Sequence, residues 1–179
     1  MLSIDPITAL SNEHKELTHL FARHQEALVT RAWARAARLL DHYRKRLQYH
    51  IGLEERYLLP YCADEKAPGQ WQAHVYIAEH RRLEELLQKT STRLAVARRR
   101  GVSSTALIAL LDEEKTLKHV VEHHHQREDM ALFSNLRESL PEEVRAALMH
   151  ELAQTDNRLR AEAGWSPRLN TINQHHTGW

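Results

Sequence analysis

Apolar residues recur at steps of three and four along most of this sequence, which is the spacing of one face of an α-helix. Four long segments show the pattern. Asp5 and Pro6 predict the start of the first segment, as an N-cap and a proline at the first helical position. Ser103 or Ser104 is expected to cap the fourth. Amphipathic helices joined by short connections predict an all-α, antiparallel, up-down-up-down four-helix bundle.

The length and composition fit one such bundle. The chain has 179 residues, enough for one well-buried domain, and its 5 Gly and 5 Pro leave few positions for tight turns. Ser139 and Glu142, on either side of Pro141, resemble a capping box that opens a short fifth helix. The helical pattern fades after Gly164. We therefore expect the bundle domain to occupy residues 1–160 and a C-terminal extension to occupy residues 161–179.

Charge and cysteine content narrow the class of function. The net charge of +1 gives no reason to expect nucleic acid or an anionic membrane as a partner. Cys62 is the only cysteine, so no disulfide can form within the chain. The N-terminus does not show a basic region followed by an apolar run, and no run of about 18 apolar residues is present to span a membrane. The expected location is the cytoplasm.

Histidines and glutamates lie on the apolar faces of the predicted helices, where such groups are costly unless they are paired or bound to metal. The chain has 14 His but only 2 Phe. The even-numbered helices share a pattern of histidine, glutamate four residues later and then a second acid: His50, Glu54 and Glu55, and His124, Glu128 and Asp129. The odd-numbered helices share a Glu-His pair: Glu13-His14 and Glu79-His80. The chain therefore resembles two helical hairpins of one design.

Helical geometry brings these side chains to one level of the bundle. A spacing of four puts histidine and glutamate one turn apart on the same helix face. His14 and His80 each lie about nine residues, or roughly 13 Å, into their helices. Glu54 and Glu128 lie near the ends of the helices that run the other way. The predicted ligands of a two-metal site are His14, His50, Glu54, His80, His124 and Glu128.

This donor set limits the choice of metal. Imidazole and carboxylate together suit iron, manganese or zinc, and a thiolate site is excluded. Two divalent ions carry more positive charge than two glutamates balance, so a solvent hydroxide or another anion is expected to complete the site. If both glutamates bridge and each metal takes two histidines, both metals keep an open position for a small ligand.

These motifs resemble those of the hemerythrin-like, or HHE cation-binding, family. The resemblance covers about residues 5–136, and its signature is Glu-His in the odd helices and H-x-x-x-E followed by Glu or Asp in the even ones. It implies a four-helix bundle with a non-haem di-iron site that binds oxygen, nitric oxide or iron itself. It also implies, position by position, the six ligands named above.

The third helix departs from the pattern of the oxygen carriers. Those hemerythrins use five histidines, with a pair spaced four apart in the third helix, whereas here Tyr76 and Glu84 stand four residues before and after His80. The ligand pattern is nearer to that of the di-iron domain in proteins that repair iron–sulfur clusters after nitrosative damage. The additional cysteine-bearing N-terminal segment of those proteins is not seen in this sequence. Neither simple oxygen carriage nor repair activity is therefore implied.

Other histidines are expected outside the ligand set. His74, His119 and His123 lie off the apolar stripe or at its margin, where solvated groups or partners of the ligands are found. His125 lies roughly 100° around the helix from the preceding histidine and is expected to be exposed. His24 is either a core histidine bonded to a carbonyl or a group with a role distant from the metals.

Three further residues stay open between a structural and a functional role. Glu84 is expected on a solvated flank, with a seventh metal ligand as the alternative. Tyr57 and Tyr76 each lie one turn from a predicted ligand. Each of them either packs in the core with a satisfied hydroxyl or donates a hydrogen bond to a metal-bound group.

Our leading functional hypothesis is a non-enzymatic protein that binds or senses O2 or NO at a di-iron centre. The alternatives are a di-iron redox enzyme acting on peroxide or nitric oxide, an iron-delivery or repair module, and a structural bundle without metal. Two open metal positions favour redox chemistry. The absence of an obvious general acid other than tyrosine does not favour redox chemistry.

Overall fold

A computed structural model describes residues 5–62, 71–100 and 103–163, and every regular element within these ranges is helical. This confirms the all-α prediction. A 3-10 turn at Leu59–Tyr61 follows the second helix, and a π-helical turn at Glu128–Leu132 joins the fourth to the fifth. The helices are α1 (Pro6–Val29), α2 (Trp33–Tyr57), α3 (Ala73–Arg100), α4 (Ser104–Arg127), α5 (Phe133–Ser139) and α6 (Glu142–Ala163).

The predicted helix starts are confirmed at α1 and α4. The Asp5 carboxylate accepts a hydrogen bond from the backbone N–H of Thr8 at 3.1 Å, and Pro6 occupies the first turn. The Ser103 hydroxyl accepts one from the backbone N–H of Ala106 at 3.2 Å.

The last part of the described chain differs from the expected capping box and short fifth helix. The Ser139 hydroxyl donates to the carbonyl of Asn135 and lies in the final turn of α5, so it does not cap the next helix. That next helix, α6, is 22 residues long and packs against α1 and α2. Of the predicted C-terminal extension, residues 161–163 form the end of α6, and residues 164–179 lie outside the described residues.

The four long helices pack in sequence order, α1 on α2, α2 on α3 and α3 on α4, and α1 also contacts α4. Pairs of interacting residues show that neighbours run antiparallel. His14 in α1 meets His50 in α2, whereas His24, further along α1, bonds to the carbonyl of Ala36, earlier in α2. The turn between these two helices uses a left-handed backbone at Arg31, with φ of 57°.

A polar layer separates two hydrophobic cores within the bundle. The first core includes Leu17, Leu47, Leu83 and Leu117. The second includes Leu10, Leu53, Tyr76 and Leu132. In α1, His14 falls between Leu10 and Leu17, and the same order of core, histidine and core recurs in α2 and α3. In α4, residues of the first core precede His124, and the second core begins after the end of the helix, at Leu132. The packing of the bundle thus brings the predicted metal-binding residues together between two water-excluding layers.

Candidate metal centre

The structure brings all six predicted ligands together, with contributions from all four long helices. Glu54 and Glu128 are fully buried, with 0% of each residue exposed. The Nε2 atoms of His14 and His50 lie 2.9 Å apart. The Nε2 atom of His80 lies 3.4 Å from Glu54 Oε2 and 3.6 Å from Glu128 Oε1.

Each buried glutamate faces histidines of both hairpins. Glu54 directs Oε1 to His50 Nε2 at 3.0 Å and Oε2 to His80 Nε2 at 3.4 Å. Glu128 directs Oε1 to His124 Nε2 at 3.0 Å and Oε2 to His14 Nε2 at 3.3 Å. A carboxylate placed in this way has one oxygen available for each of two metal ions.

The ligand atoms form two groups, within each of which every atom lies within 4.8 Å of the others. The histidine-rich group comprises His14, His50, His125 and Glu128. The carboxylate-rich group comprises Glu54, His80, His124 and Glu128. Glu128 belongs to both, so the two positions are adjacent.

The expectation that His125 is exposed was wrong. The residue is only 6% exposed, and its ring stacks on that of His14 at 3.9 Å between centroids and 6° between planes. The physical reason is that α4 contacts two neighbouring helices. His124 faces α3, where its Nδ1 meets Glu79, while His125 faces α1. The sequence signal for the burial of His125 was its position directly after another histidine, because α4 contacts two other helices and each histidine faces one of them.

Unpartnered polar atoms show that the residues fit a metal. Buried polar groups normally have hydrogen-bond partners. Within the part of the chain that the structure describes, both oxygens of Glu54 and of Glu128 are buried without one. So are the Nε2 atoms of His80, His124 and His125. The short distances between these histidine nitrogens and glutamate oxygens are therefore not hydrogen bonds. A cation lying between these atoms would satisfy them.

Burial and the glutamates act in opposite directions on the histidine pKa values. For His14, burial lowers the pKa, but contacts with Asp129 and Glu128 raise it overall to about 9. For His80, the contacts with Glu128 and Glu54 likewise outweigh burial and raise the pKa to about 10. Burial lowers the pKa of His125 far below its ordinary value, and the nearby His14 adds to the shift. A metal binds the neutral imidazole, so His125 is already in that form, whereas His14 and His80 must release protons.

Three carboxylates hold the outer ring nitrogens of the predicted ligands. His80 Nδ1 donates to Glu55 at 2.9 Å, and His124 Nδ1 donates to Glu79 at 2.9 Å. His14 Nδ1 lies 3.3 Å from Asp129. Such carboxylate–histidine pairs fix ring orientation and raise ligand basicity. The second acid of each repeated motif therefore orients a histidine of the other hairpin, a role that spacing within one helix does not reveal.

Among the residues that the structure describes, no carboxylate contacts the outer ring nitrogen of His50, the fourth predicted histidine ligand. By the repeat, Glu13 corresponds to Glu79, but the guanidinium of Arg46 holds Glu13 through both its Nε and its Nη2. Within the described ranges, the Nδ1 atom of His50 is buried without a hydrogen-bond partner. The two hairpins thus share a sequence motif but differ in how their histidines are held.

This difference predicts unequal effects of two matched substitutions. We expect Glu79→Gln to weaken metal binding by roughly 10–100-fold, because the carboxylate that orients His124 is lost. Glu13→Gln is the control, since Glu13 also pairs with an arginine but holds no ligand. Competition with a colorimetric chelator measures both affinities. Equal affinities in the two variants would contradict the role assigned to Glu79.

The remaining candidates lie outside the centre. His24 is fully buried and donates through Nδ1 to the carbonyl of Ala36 at 2.8 Å, so the core alternative is confirmed. Its Nε2 pairs with the buried Glu114 at 2.9 Å. The expectation for Glu84 is also confirmed, because this residue is exposed. His74, His119 and His123 are exposed as well.

The fold and the geometry of the buried groups define a helical-bundle protein with a metal-cation centre. The family model for the hemerythrin HHE cation-binding domain matches residues 5–114, more than half of the chain, and the chain belongs to this family. The match includes His14, His50, Glu54 and His80 but ends before His124. The participation of α4 therefore rests on the geometry described above.

Two further comparisons, with curated proteins and with solved structures, identify no similar protein. Over the three ranges that the structure covers, no helix has the length and apolar character needed to cross a membrane.

Proposed function

We propose that this chain binds two iron ions at the buried centre and uses them to bind or sense a small diatomic ligand, O2 or NO. The observation that carries the proposal is the pair of fully buried glutamates, each facing histidines of both hairpins. Nitrogen and oxygen donors suit iron, with manganese and zinc as the other candidates. The ligands we propose are His14, His50, Glu54, His80, His124 and Glu128, with His125 as an addition.

The protein residues would hold the ions and exclude water from them. When bound, the iron pair supplies exchangeable coordination positions and a change of oxidation state. The hydrophobic core next to the centre contributes Leu17, Leu47, Leu83 and Leu117, each with 0% of its surface exposed. Such a dry surrounding strengthens the electrostatic attraction between the ions and the two glutamates. It also favours small, uncharged ligands over larger polar ones.

A gas titration tests this proposal. The protein is loaded with ferrous iron without air and titrated with NO and, separately, with O2, while the visible spectrum is recorded. We expect new bands that saturate and that disappear when the gas is removed. His50→Ala should lose them, whereas His74→Ala, an exposed residue outside the centre, should retain them. Iron-loaded protein whose spectrum does not change with either gas would contradict the proposed function.

A redox enzyme is the alternative, and one residue favours it. Tyr76 is 1% exposed, and burial raises the pKa of its hydroxyl, with Cys62, Glu128 and Glu54 adding to the shift. It therefore remains a protonated donor close to the centre. Sustained consumption of peroxide by the iron-loaded protein, lost in Tyr76→Phe, would favour this alternative. Rapid loss of iron to a mild chelator would instead favour iron delivery.

A further inference from the structure

Each hairpin carries a glutamate and an arginine beside the histidine of its second helix, but the contacts among the three groups differ. In the α3–α4 hairpin, Glu79 is shared between two partners. One of its oxygens contacts the guanidinium of Arg127, and the other accepts a hydrogen bond from His124 Nδ1 at 2.9 Å. Arg127 follows His124 by three residues, so the two lie on the same side of α4. The glutamate therefore orients a proposed ligand and is itself held in place.

In the α1–α2 hairpin, the arginine takes the whole carboxylate. Arg46 donates from Nε to one oxygen of Glu13 and from Nη2 to the other, the second at 2.7 Å. A bidentate pair of this kind is a strong contact and fixes both partners. Only 20% of each side chain is exposed, so water competes little with the pair. Over the described ranges, His50 Nδ1 stays buried without a hydrogen-bond partner.

Glu13 is placed to make the same contact as Glu79. It directly precedes His14, whose Nε2 lies 2.9 Å from His50 Nε2. Arg46, which holds Glu13, stands one helical turn before His50 on the same face of α2. The arginine thus precedes the histidine in α2 and follows it in α4. This difference in position explains why one carboxylate reaches its histidine and the other does not.

Negative charge is distributed unequally around the two proposed metal positions as well. The carboxylate-rich group contains two glutamates, and its two histidines are held by Glu55 and Glu79. The histidine-rich group contains one glutamate, Glu128, and its His14 meets the outer carboxylate of Asp129 at 3.3 Å. More carboxylates therefore surround the carboxylate-rich position, which favours a cation there.

We propose that Arg46 weakens metal binding at the histidine-rich position by keeping Glu13 away from His50, so that the ion of the carboxylate-rich position binds first and more tightly. This inference rests on the proposed function, because it assumes that the centre takes up two ions. Without a carboxylate on its outer nitrogen, the His50 imidazole is a less basic and less firmly oriented donor than that of His124. Arg46 is thus a positioning residue that acts through Glu13 and His50.

Calorimetric titration with ferrous iron, without air, tests this role. We expect two binding steps in the wild type, with dissociation constants that differ about 10-fold or more. Arg46→Met keeps the aliphatic stem of the side chain and releases Glu13, so it should tighten the weaker step about 10-fold and leave the other unchanged. Adding Glu13→Ala to this variant removes the acceptor and should return the weaker step to its wild-type affinity. A merely structural role of Arg46 would not produce a gain that Glu13→Ala reverses.

Two more variants assign the steps and control for charge. His50→Ala should abolish the weaker step and keep the tighter one. Arg127→Met removes the equivalent guanidinium from the other hairpin. Because Glu79 already accepts from His124, no new contact becomes available, and we expect neither step to tighten.

The results separate two kinds of failure. A wild type that takes up no ferrous iron contradicts the proposed function and this inference with it. If the wild type binds two irons but Arg46→Met tightens neither step, or Arg127→Met tightens binding as much, the proposed function stands and this inference is overturned. The same holds if Glu13→Ala does not reverse the gain.

Discussion

Replacing Glu128 with glutamine is expected to abolish binding of both metal ions. Glu128 is the one residue common to the two ligand groups, and its two oxygens face histidines of opposite hairpins. Glutamine has nearly the same size, but it lacks the negative charge and offers only one oxygen. The variant should therefore retain the fold while its metal content falls from about two ions per chain to nearly none. Elemental analysis after gel filtration measures this loss.

The matched control is Glu114→Gln in α4, the helix that leads into the turn holding Glu128. Glu114 is as buried as Glu128, with 0% exposed, and it also faces a histidine, His24, at 2.9 Å. It lies outside both ligand groups, so its variant should keep the wild-type metal content. If Glu128→Gln retained both metals, or if the two variants lost metal equally, the bridging role of Glu128 would be refuted.

Removing the metal is expected to destabilise the fold strongly. Within the part of the chain that the structure covers, the oxygens of Glu54 and Glu128 and several histidine nitrogens are buried without hydrogen-bond partners, and such groups are costly unless a cation is bound. A metal that binds only the folded chain, and whose free concentration is about 1,000 times its dissociation constant, raises the free energy of unfolding by about 4 kcal/mol. For a chain of this size that corresponds to a rise of roughly 8–16 °C in Tm.

Thermal unfolding followed by circular dichroism, with and without a chelator, checks this expectation. Glu128→Gln serves as the control here too, because a chain that does not bind metal should unfold at one temperature under both conditions. A wild type whose Tm does not respond to the chelator would mean that the centre contributes nothing to stability as a metal site.

The bundle was predictable because its signals are local. Asp5, Pro6 and Ser103 act through neighbouring backbone groups, so the starts of two helices can be inferred without knowledge of the packing. The convergence of the six predicted ligands was predictable because a repeated spacing places them on one face and at one level. The extent of α6 was not, because its partners, α1 and α2, are remote in sequence.

The burial and the contacts that the sequence did not predict have one physical reason: each depends on a side chain of a second helix. The burial of His125 is decided by α1, whose His14 it stacks upon. The role of Glu55 depends on His80 in α3, and that of Asp129 depends on His14 in α1. The difference between Glu13 and Glu79 depends on Arg46, a residue that the repeated motif does not include. Periodicity within one helix carries no information about these contacts.

Iron content is the most direct test of our proposal that the buried histidines and glutamates hold two iron ions. The wild-type chain is reconstituted with ferrous iron without air, freed of loosely bound metal by gel filtration, and analysed for iron and protein. We expect about two irons per chain. A chain that emerges folded but without iron would contradict it, and the convergence of these residues would then be a feature of the core alone.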